Sequence, residues 1–451
     1  MKHFSSSIYS RLTIHYSQQH MKSFFLICTI AASVTACAQT ATKGTKADAI
    51  INITEVERIE RVLAHDSMQG RRAGTPGSDK AAAFIAAEFS KAGLQPVAGN
   101  SYLQSFTVVR PQFKSIKGEM DDVELDPKNI IAITTESDLK VNEKMGYVME
   151  TIKAGENLFG RAQSIARSGT NTVVFVDTSF RQNFARLTGL KRMMFKSATN
   201  TIFVLGTYAP KEFNVKAEHT IEEIKMANVV GILPGKNKTA EQVIFSAHYD
   251  HMGIGKPVDG DSIYNGANDD AAGTTAVIML AKYFKQLGNN ERTLVFAAFT
   301  AEEIGGFGSQ HFSKQFEPKN VAAMFNIEMI GTESKWGRNS AFITGFDQTN
   351  MGTILQKNLQ GSQFTFHPDP YPDQNLFYRS DNATLARLGV PAHTISTSKM
   401  DSEPNYHKVT DHVETLDLAN MTEIIKAIAT SSASIVAGKD TPTRVNTSAL
   451  R

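Results

Sequence analysis

A series of apolar runs in the second half of the chain, each ending in ionisable side chains, constrains the fold more than any other feature. The run "EQVIFSAHYD" ends with His248 and Asp250, "RTLVFAAFT" is followed closely by Glu302 and Glu303, and "VAAMFNI" is followed by Glu328. Near-continuous apolar strands are typical of sheets that are buried on both faces. Ionisable groups at the ends of such strands predict a site at one edge of a sheet.

Segments with a helical spacing of apolar residues alternate with these runs. In the segment 271–287, for example, Val277, Leu280 and Phe284 fall on one face. The same spacing predicts helices at 53–66, 79–94, 376–389 and 416–438. We therefore predict an α/β fold in which a mainly parallel or mixed central sheet is covered by helices on both faces.

Residues 110–225 interrupt this pattern. They contain short strand-like runs such as "TNTVVFVD" and "NTIFVLG", separated by scattered charges. They also contain a basic stretch at 181–196, which we interpret as the solvated face of a helix. We expect an inserted α+β domain here, which divides the main domain into the segments 53–109 and 226–440 and leaves 441–451 as a C-terminal tail.

The N-terminus has the layout of an export signal. From Met21, which is a plausible true start, a lysine precedes a short apolar stretch and then small residues. The sequence "VTAC" at its end is similar to a bacterial lipoprotein signal, which predicts a lipid anchor at Cys37 and a location in the cell envelope. The alternative is an ordinary cleaved signal and a secreted protein. We assign 1–37 to the signal and 38–52 to a tether.

The composition narrows the chemistry of the predicted site. The net charge of +2 gives no reason to expect a nucleic-acid partner. Because the chain has only two cysteines, both near the N-terminus, a metal site must be built from His, Asp and Glu. The adjacent carboxylates of Glu302 and Glu303 would repel each other if buried, unless positive charge lies between them.

Two histidines and three or four carboxylates form a donor set that suits zinc, with manganese or cobalt as the alternatives. There are too many carboxylates for one tetrahedral ion, so two metal ions that share a bridging carboxylate fit better. The sequence therefore predicts two zinc ions per chain.

Five blocks of sequence resemble the M28 family of zinc peptidases in their order and spacing. They are "SAHYDHMG", "GANDDAAG", "TAEEIGGFGS", "NIEMIG" and "PNYHKVTD". "GRRAGTPG" and "NVVGILPG" extend the resemblance, so it covers roughly 55–105 and 226–440. It implies a zinc exopeptidase fold and a peptide substrate. The inserted domain, through "GRAQSIARSGTNTVVFVD", is similar to a protease-associated domain, for which we expect a substrate-gating role.

The resemblance implies a role for each motif residue. His248 matches a ligand of one metal, and His407 with Glu303 matches ligands of the other. Asp269 matches the bridging carboxylate. Glu328 stands where the family usually has a ligating aspartate, and its extra methylene moves the carboxylate.

Three further residues are implied to act around the metals. Asp250 resembles the residue that orients the first histidine. Glu302 resembles the general base that takes a proton from the attacking water and returns it to the leaving amine. Tyr406 resembles a position whose phenol helps to hold the oxyanion. We expect His251, His311, His393 and His412 to be structural or surface residues, and Asp270 to shape the turn.

The resemblance favours an aminopeptidase, with three alternatives. A carboxypeptidase would belong to the same family. A glutaminyl cyclase, an acyltransferase with one zinc, has the same fold and is kept open by Glu328. A non-catalytic lipoprotein could keep a metal for structure, although it would not need a general base at Glu302. The sequence does not predict the oligomeric state.

Overall fold

The computed structural model describes residues 46–450. The predicted signal at 1–37, with Met21 and Cys37, lies outside this range. The predicted tether at 38–52 overlaps ordered structure, because Lys46–Ile50 form a helix and Ile51 is fully buried in the core. No helix among the described residues is long and apolar enough to cross a membrane.

Strands and helices alternate along most of the described chain. The strands are β1 (Gln95–Pro96), β2 (Leu103–Met120), β3 (Val123–Glu124), β4 (Ile130–Ile133), β5 (Asp138–Asn142), β6 (Val148–Ile152), β7 (Thr172–Val176), β8 (Met194–Phe195), β9 (Thr201–Leu205), β10 (Phe213–Leu233), β11 (Lys238–His248), β12 (Gly253–Val258), β13 (Asp261–Tyr264), β14 (Arg292–Phe299), β15 (Val321–Ile327), β16 (Ser340–Ile343), β17 (Thr365–Pro368) and β18 (Ala392–Ser396). The helices are α1 (Lys46–Ile50), α2 (Ile53–Leu63), α3 (Pro76–Lys91), α4 (Leu158–Ala166), α5 (Arg181–Phe184), α6 (Ala272–Leu287), α7 (Phe307–Ser313), α8 (Met351–Asn358), α9 (Asn382–Ala386), α10 (Leu418–Ser431) and α11 (Ala433–Val436).

The central sheet is mixed, with a parallel centre. Its order is β17-β16-β18-β15-β11-β14-β10-β2-β3. The pairs β14–β11, β11–β15 and β15–β18 are parallel, whereas β10 and β16 run antiparallel to their inner neighbours. The carboxyl ends of β11, β14, β15 and β18 therefore lie at one edge, as the sequence predicts.

Both faces of the sheet are buried, which explains why its strands are apolar without interruption. Alternate residues of a strand point to opposite faces. In β11, Val243 and Phe245 belong to the large hydrophobic cluster that includes residues of α2, α3, α6 and α10, whereas Ile244 belongs to the cluster that includes Phe312 of α7 and Leu385 of α9. The predicted α/β fold with helices on both faces is confirmed.

The segment predicted as an insertion carries a second sheet, in the order β4-β9-β7-β6. The long strands β2 and β10 pair with each other along most of their length and connect it to the central sheet. Hydrophobic clusters lie on its two sides, one formed with β2 and β10 and the other with α4 and α5. The predicted boundaries at 110 and 225 fall inside β2 and β10, because these strands of the central sheet extend far enough to pack against the second sheet.

One local prediction is wrong, and a second holds only in part, since Arg181, Arg186, Arg192 and Lys196 are exposed as predicted. The segment 376–389 is not one helix but a 3-10 turn at Leu376–Tyr378 followed by the short α9. The break is held by Asn382, whose side-chain amide donates to the carbonyls of Phe377 and Ala392.

The basic stretch at 181–196 is also not a fully solvated helix face. The side chain of Lys191 is buried, and its Nζ donates to the carbonyl of Ala132 at 3.0 Å and lies 3.0 Å from His219 Nε2. Burial lowers the pKa of Lys191 to about 8. The packing of this segment against β4 and β10 removes the lysine from water, which composition alone cannot predict.

Candidate metal centre

The ionisable residues predicted from the strand ends meet at one edge of the central sheet. His248 is the last residue of β11, and Glu302, Glu303 and Glu328 follow β14 and β15. Two loops complete the site, one with Asp269 before α6 and one with Tyr406 and His407 before α10. Because parallel strands end at the same edge, side chains far apart in sequence come together.

Asp269 lies between two histidines, and each of its oxygens faces a different one. Its Oδ1 is 3.3 Å from Nε2 of His248, and its Oδ2 is 3.2 Å from Nε2 of His407. Atoms that are each about 2.0–2.1 Å from a tetrahedral zinc lie about 3.3 Å from one another. These separations therefore fit two donor groups that share Asp269.

Glu303 completes the second of these groups. Its Oε2 is 3.1 Å from Nε2 of His407, again close to the edge of a tetrahedral zinc site. Asp269 and Glu303 together raise the pKa of His407 to about 10. This corner of the cleft therefore attracts positive charge.

His251 corrects one expectation. We expected a structural or surface residue, but its Nδ1 lies 2.8 Å from Oε1 of Glu303, and His251, Asp269 and Glu303 lie close enough to hold one metal ion. The short distance to Glu303 is that of a hydrogen bond rather than of two ligands on one ion. His251 thus orients Glu303, and only its position three residues after His248 could have indicated this.

Asp250 contacts His248 in a different way from the one expected. Nδ1 of His248 is 3.1 Å from the main-chain carbonyl oxygen of Asp250 and 3.8 Å from its Oδ1. The carboxylate Oδ1 instead accepts a hydrogen bond from the main-chain N–H of Glu302 at 3.1 Å. Asp250 therefore orients the histidine through its backbone and holds the turn that carries Glu302 through its side chain.

Glu302 and Glu328 face the cleft with carboxyl groups that favour protonation. Burial raises the pKa of Glu302 well above its ordinary value, and nearby carboxylates, Glu328 and Asp381 among them, raise it further. Burial likewise raises the pKa of Glu328 to about 7, and its Oε2 has no hydrogen-bond partner within residues 46–450. The side chain of Glu302 takes no part in the short distances described above between His248, His407, Asp269 and Glu303, and it lines the cleft.

Two residues that support the site were missed by the sequence reasoning. Both oxygens of Asp411 accept hydrogen bonds from the main chain, from Asn268 at 2.9 Å and from Asp269 at 3.0 Å. Its position four residues after His407, in the block "PNYHKVTD", was the available signal.

The second missed residue is Arg71, from the block "GRRAGTPG". Its buried guanidinium donates to four main-chain carbonyls, those of Leu63, Tyr249, Asn265 and Gly266. It thereby ties the segment next to His248 to the segment that leads to Asp269. No sequence signal identified these partners, which lie up to 195 residues away.

The cleft next to these residues has a volume of about 90 Å³ and is partly apolar. Met329, Phe342, Leu376 and Met400 form apolar walls. Tyr406 also lines it, and its ring stacks on His407 with centroids 4.0 Å apart. The cleft thus places an apolar surface beside the carboxylates, and it is small enough to accept one side chain rather than a folded partner.

The donor set fits zinc. It combines imidazole nitrogens and carboxylate oxygens, contains no thiolate, and includes the buried Nε2 of His248, which has no hydrogen-bond partner among the described residues. Mg²⁺ would require near-octahedral oxygen coordination, which two imidazoles do not supply.

Comparisons with known proteins agree with this chemistry. The profile of Peptidase family M28 matches residues 228–432. The chain is 30% identical over 220 residues, 47% of its length, to a protein named probable leucine aminopeptidase from Trichophyton verrucosum (strain HKI 0517). It is 32% identical over 116 residues, 25% of its length and 24% of the relative's, to a probable zinc metalloprotease from Pyrenophora teres f. teres (strain 0-1). The chain spans about half the length of the leucine aminopeptidases it matches, between 53% and 58%.

Solved structures show the same fold over most of the chain. The aminopeptidase from Aneurinibacillus sp. strain AM-1 superposes with a TM-score of 0.52, covering 87% of this chain and 95% of that chain. The two sequences are only 16% identical, so this similarity concerns the fold.

Proposed function

We propose that this chain is a zinc-dependent aminopeptidase of the M28 type, which removes N-terminal residues from peptides, since residues 228–432 match the profile of Peptidase family M28. The observation that carries the proposal is the position of Asp269 between His248 and His407, with Glu302 open to the adjoining cleft. The names of the relatives support the same activity.

Two zinc ions per chain agree with the donor groups. His248 and Glu328 would hold one ion, Glu303 and His407 would hold the other, and Asp269 would bridge them. When bound, zinc supplies Lewis-acid chemistry, which acidifies water and polarises a carbonyl group. Its charge also offsets the repulsion between the adjacent carboxylates of Glu302 and Glu303.

Glu302 is the general base of the proposed reaction. Its carboxylate accepts a proton from the water that attacks the scissile carbonyl, and then donates this proton to the leaving amine. The phenol of Tyr406 lines the same cleft and can donate a hydrogen bond to the oxyanion as it forms. Met329 and Phe342 form part of an apolar wall, which favours an apolar N-terminal residue.

The test compares the full chain, loaded with zinc, with a Glu302→Gln variant on unblocked and N-acetylated peptides. Mass spectrometry should detect loss of N-terminal residues from unblocked peptides only, and a reduction of at least about 100-fold in the variant. Glu317→Gln, which changes an exposed glutamate, is the matched control and should retain activity. Trimming of acetylated peptides from the other end would instead establish a carboxypeptidase.

Metal analysis of the same samples tests the stoichiometry. Two zinc ions per chain in both the wild type and Glu302→Gln would agree with the proposed ligands, because Glu302 is not one of them. One zinc per chain, with loss of ammonia from N-terminal glutamine and no cleavage, would favour the glutaminyl cyclase. A zinc-loaded protein that changes no peptide would contradict the enzymatic proposal.

We also propose that the chain is exported and anchored by a lipid at Cys37. The support is the sequence "VTAC" at the end of the signal-like segment. Labelling of bacterial cells with radioactive palmitate should give a labelled protein in the membrane fraction. Cys37→Ser should abolish the label, whereas Cys28→Ser should not. Release of unlabelled wild-type protein into the medium would favour an ordinary cleaved signal.

A further inference from the structure

Among residues 46–450, Arg379 is the only lysine or arginine that lines the cleft beside the candidate metal centre. It lies in the break between the 3-10 turn at Leu376–Tyr378 and α9, the segment wrongly predicted as one helix. In a continuous helix the backbone N–H and C=O groups of this segment would hydrogen-bond to one another. With the break, Arg379 and Ser380 lie in the wall of the cleft. The irregular backbone thus brings a permanent cation to a cleft whose other charged groups are carboxylates and His407.

Within the described part of the chain, the charge of Arg379 is not used in an ion pair. Its Nη1 donates to the neutral side-chain oxygen of Gln374 at 3.1 Å. None of the ion pairs formed within residues 46–450 includes Arg379, whereas Arg338, for example, pairs with Asp417. Gln374 therefore restrains the guanidinium without neutralising it, and donors remain for a ligand.

The other walls of the cleft indicate which kind of molecule carries the group that binds Arg379. Met329, Phe342, Leu376 and Met400 provide an apolar surface for the N-terminal side chain of a peptide. A guanidinium in the same small cleft binds carboxylates preferentially, because its paired N–H groups match the two carboxylate oxygens. A peptide with an apolar N-terminal side chain and a carboxylate within one residue of the scissile bond would contact both the apolar surface and the guanidinium.

We propose that Arg379 binds a substrate carboxylate on the residue that follows the scissile bond, so that the protein prefers substrates with an apolar first residue and a negative charge next to it. The proposal rests on the proposed peptidase function. Two sources of the carboxylate share this chemistry: the C-terminus of a dipeptide and the side chain of an acidic second residue.

The test measures kcat/KM for matched pairs of substrates with the zinc-loaded full chain. Leu-Ala and its C-terminal amide differ only in the terminal carboxylate, and Leu-Glu-amide and Leu-Gln-amide differ only in the side chain. We expect the wild type to prefer the charged member of at least one pair by about tenfold, the effect of one charge-assisted contact. The pair that shows the preference identifies the source of the carboxylate.

Three variants test the role of Arg379 itself. In Arg379→Gln the ratio of kcat/KM between the charged and the uncharged substrate should fall close to one, chiefly through a higher KM for the charged substrate. Arg379→Lys should restore part of it, because a lysine keeps the charge but not the paired donors. Arg338→Gln removes an equal charge from an exposed site outside the cleft and should keep the full preference.

Three outcomes would overturn the inference while leaving the peptidase proposal intact. They are equal cleavage of both members of each pair by the wild type, an unchanged preference in Arg379→Gln, and an equal loss of kcat on all four substrates in that variant. Failure of the wild type to cleave any of the four would instead contradict the peptidase proposal.

Discussion

Glu60, in the middle of α2, is a carboxyl group that the fold keeps away from water. It is fully buried, and one of its oxygens accepts a hydrogen bond from the hydroxyl of Thr275 on α6 at 2.8 Å. Burial raises its pKa from 4.5 to about 8, although Thr275 and the buried Arg71 act in the opposite direction. At neutral pH the folded state therefore keeps a proton on Glu60 that the unfolded state has lost.

This difference in proton binding makes a prediction for Glu60→Gln. Because the folded state binds the extra proton, the contribution of Glu60 to stability is complete below pH 4.5 and decreases as the pH rises to about 8. Glutamine keeps the neutral form at every pH. The variant should therefore gain stability relative to the wild type by up to about 1.4 kcal/mol per pH unit within this window.

Urea denaturation at several pH values between 5 and 8 measures this difference. Glu57→Gln, on the same helix, is the control, because Glu57 is exposed and pairs with Arg61 on the surface. Its stability relative to the wild type should change little with pH. A constant difference between Glu60→Gln and the wild type across the range would contradict a buried, protonated Glu60.

At the scale of elements, α6 approaches the central sheet so closely that its first turn requires glycine. A Cβ at Gly273 would lie 2.2 Å from the carbonyl oxygen of Ile327, the last residue of β15, and 2.5 Å from the carboxylate of Asp270. Asp270 in turn accepts hydrogen bonds from the main-chain N–H groups of Gly273 and Met329. The close approach thus fixes the loop that carries Asp269 against the end of β15.

We therefore expect Gly273→Ala to destabilise the protein by about 1–3 kcal/mol, the usual cost of overpacking, because the backbone of β15 must move. The variant should also bind zinc more weakly, since Asp269 moves with this loop. Gly189→Ala is the control, because a Cβ there has open space around it and should be tolerated. Thermal unfolding and zinc titration measure both effects. Equal stability of the two variants would contradict the close packing of α6.

The sequence predicts the elements of the central sheet well and their interruptions poorly. The apolar runs at β11, β14 and β15 are recognisable because both faces of these strands are buried. The break before α9 is not recognisable, because it depends on hydrogen bonds from Asn382 to groups up to ten residues away. The candidate metal centre likewise has residues that the sequence predicts and a contact that it does not. His248, Asp269, Glu303 and His407 stand out by motif, whereas the contact of His251 with Glu303 is formed only when two strand ends meet.

At the scale of the whole molecule, the strands β2 and β10 belong to the central sheet, and their side chains pack in one hydrophobic cluster with those of the second sheet. The candidate metal centre belongs to the central sheet alone, because its residues follow β11, β14 and β15 or lie in loops beside them. The gating role expected for the segment 110–225 stays a prediction. The two long strands provide a continuous connection through which the second sheet is held to the first.

Removal of the metal should destabilise the central sheet. Asp269, Glu302, Glu303 and Glu328 converge at its edge, and their repulsion opposes folding unless a cation offsets it. A ligand that binds only the folded state stabilises it by about 4 kcal/mol at 1,000 times its dissociation constant. Zinc should therefore raise the melting temperature of chelator-treated protein by several degrees, as scanning calorimetry can measure. His407→Ala should lose most of this gain, whereas His311→Ala, whose ring stacks on Phe106 outside the centre, should keep it. An equal gain in both variants would mean that zinc binds elsewhere.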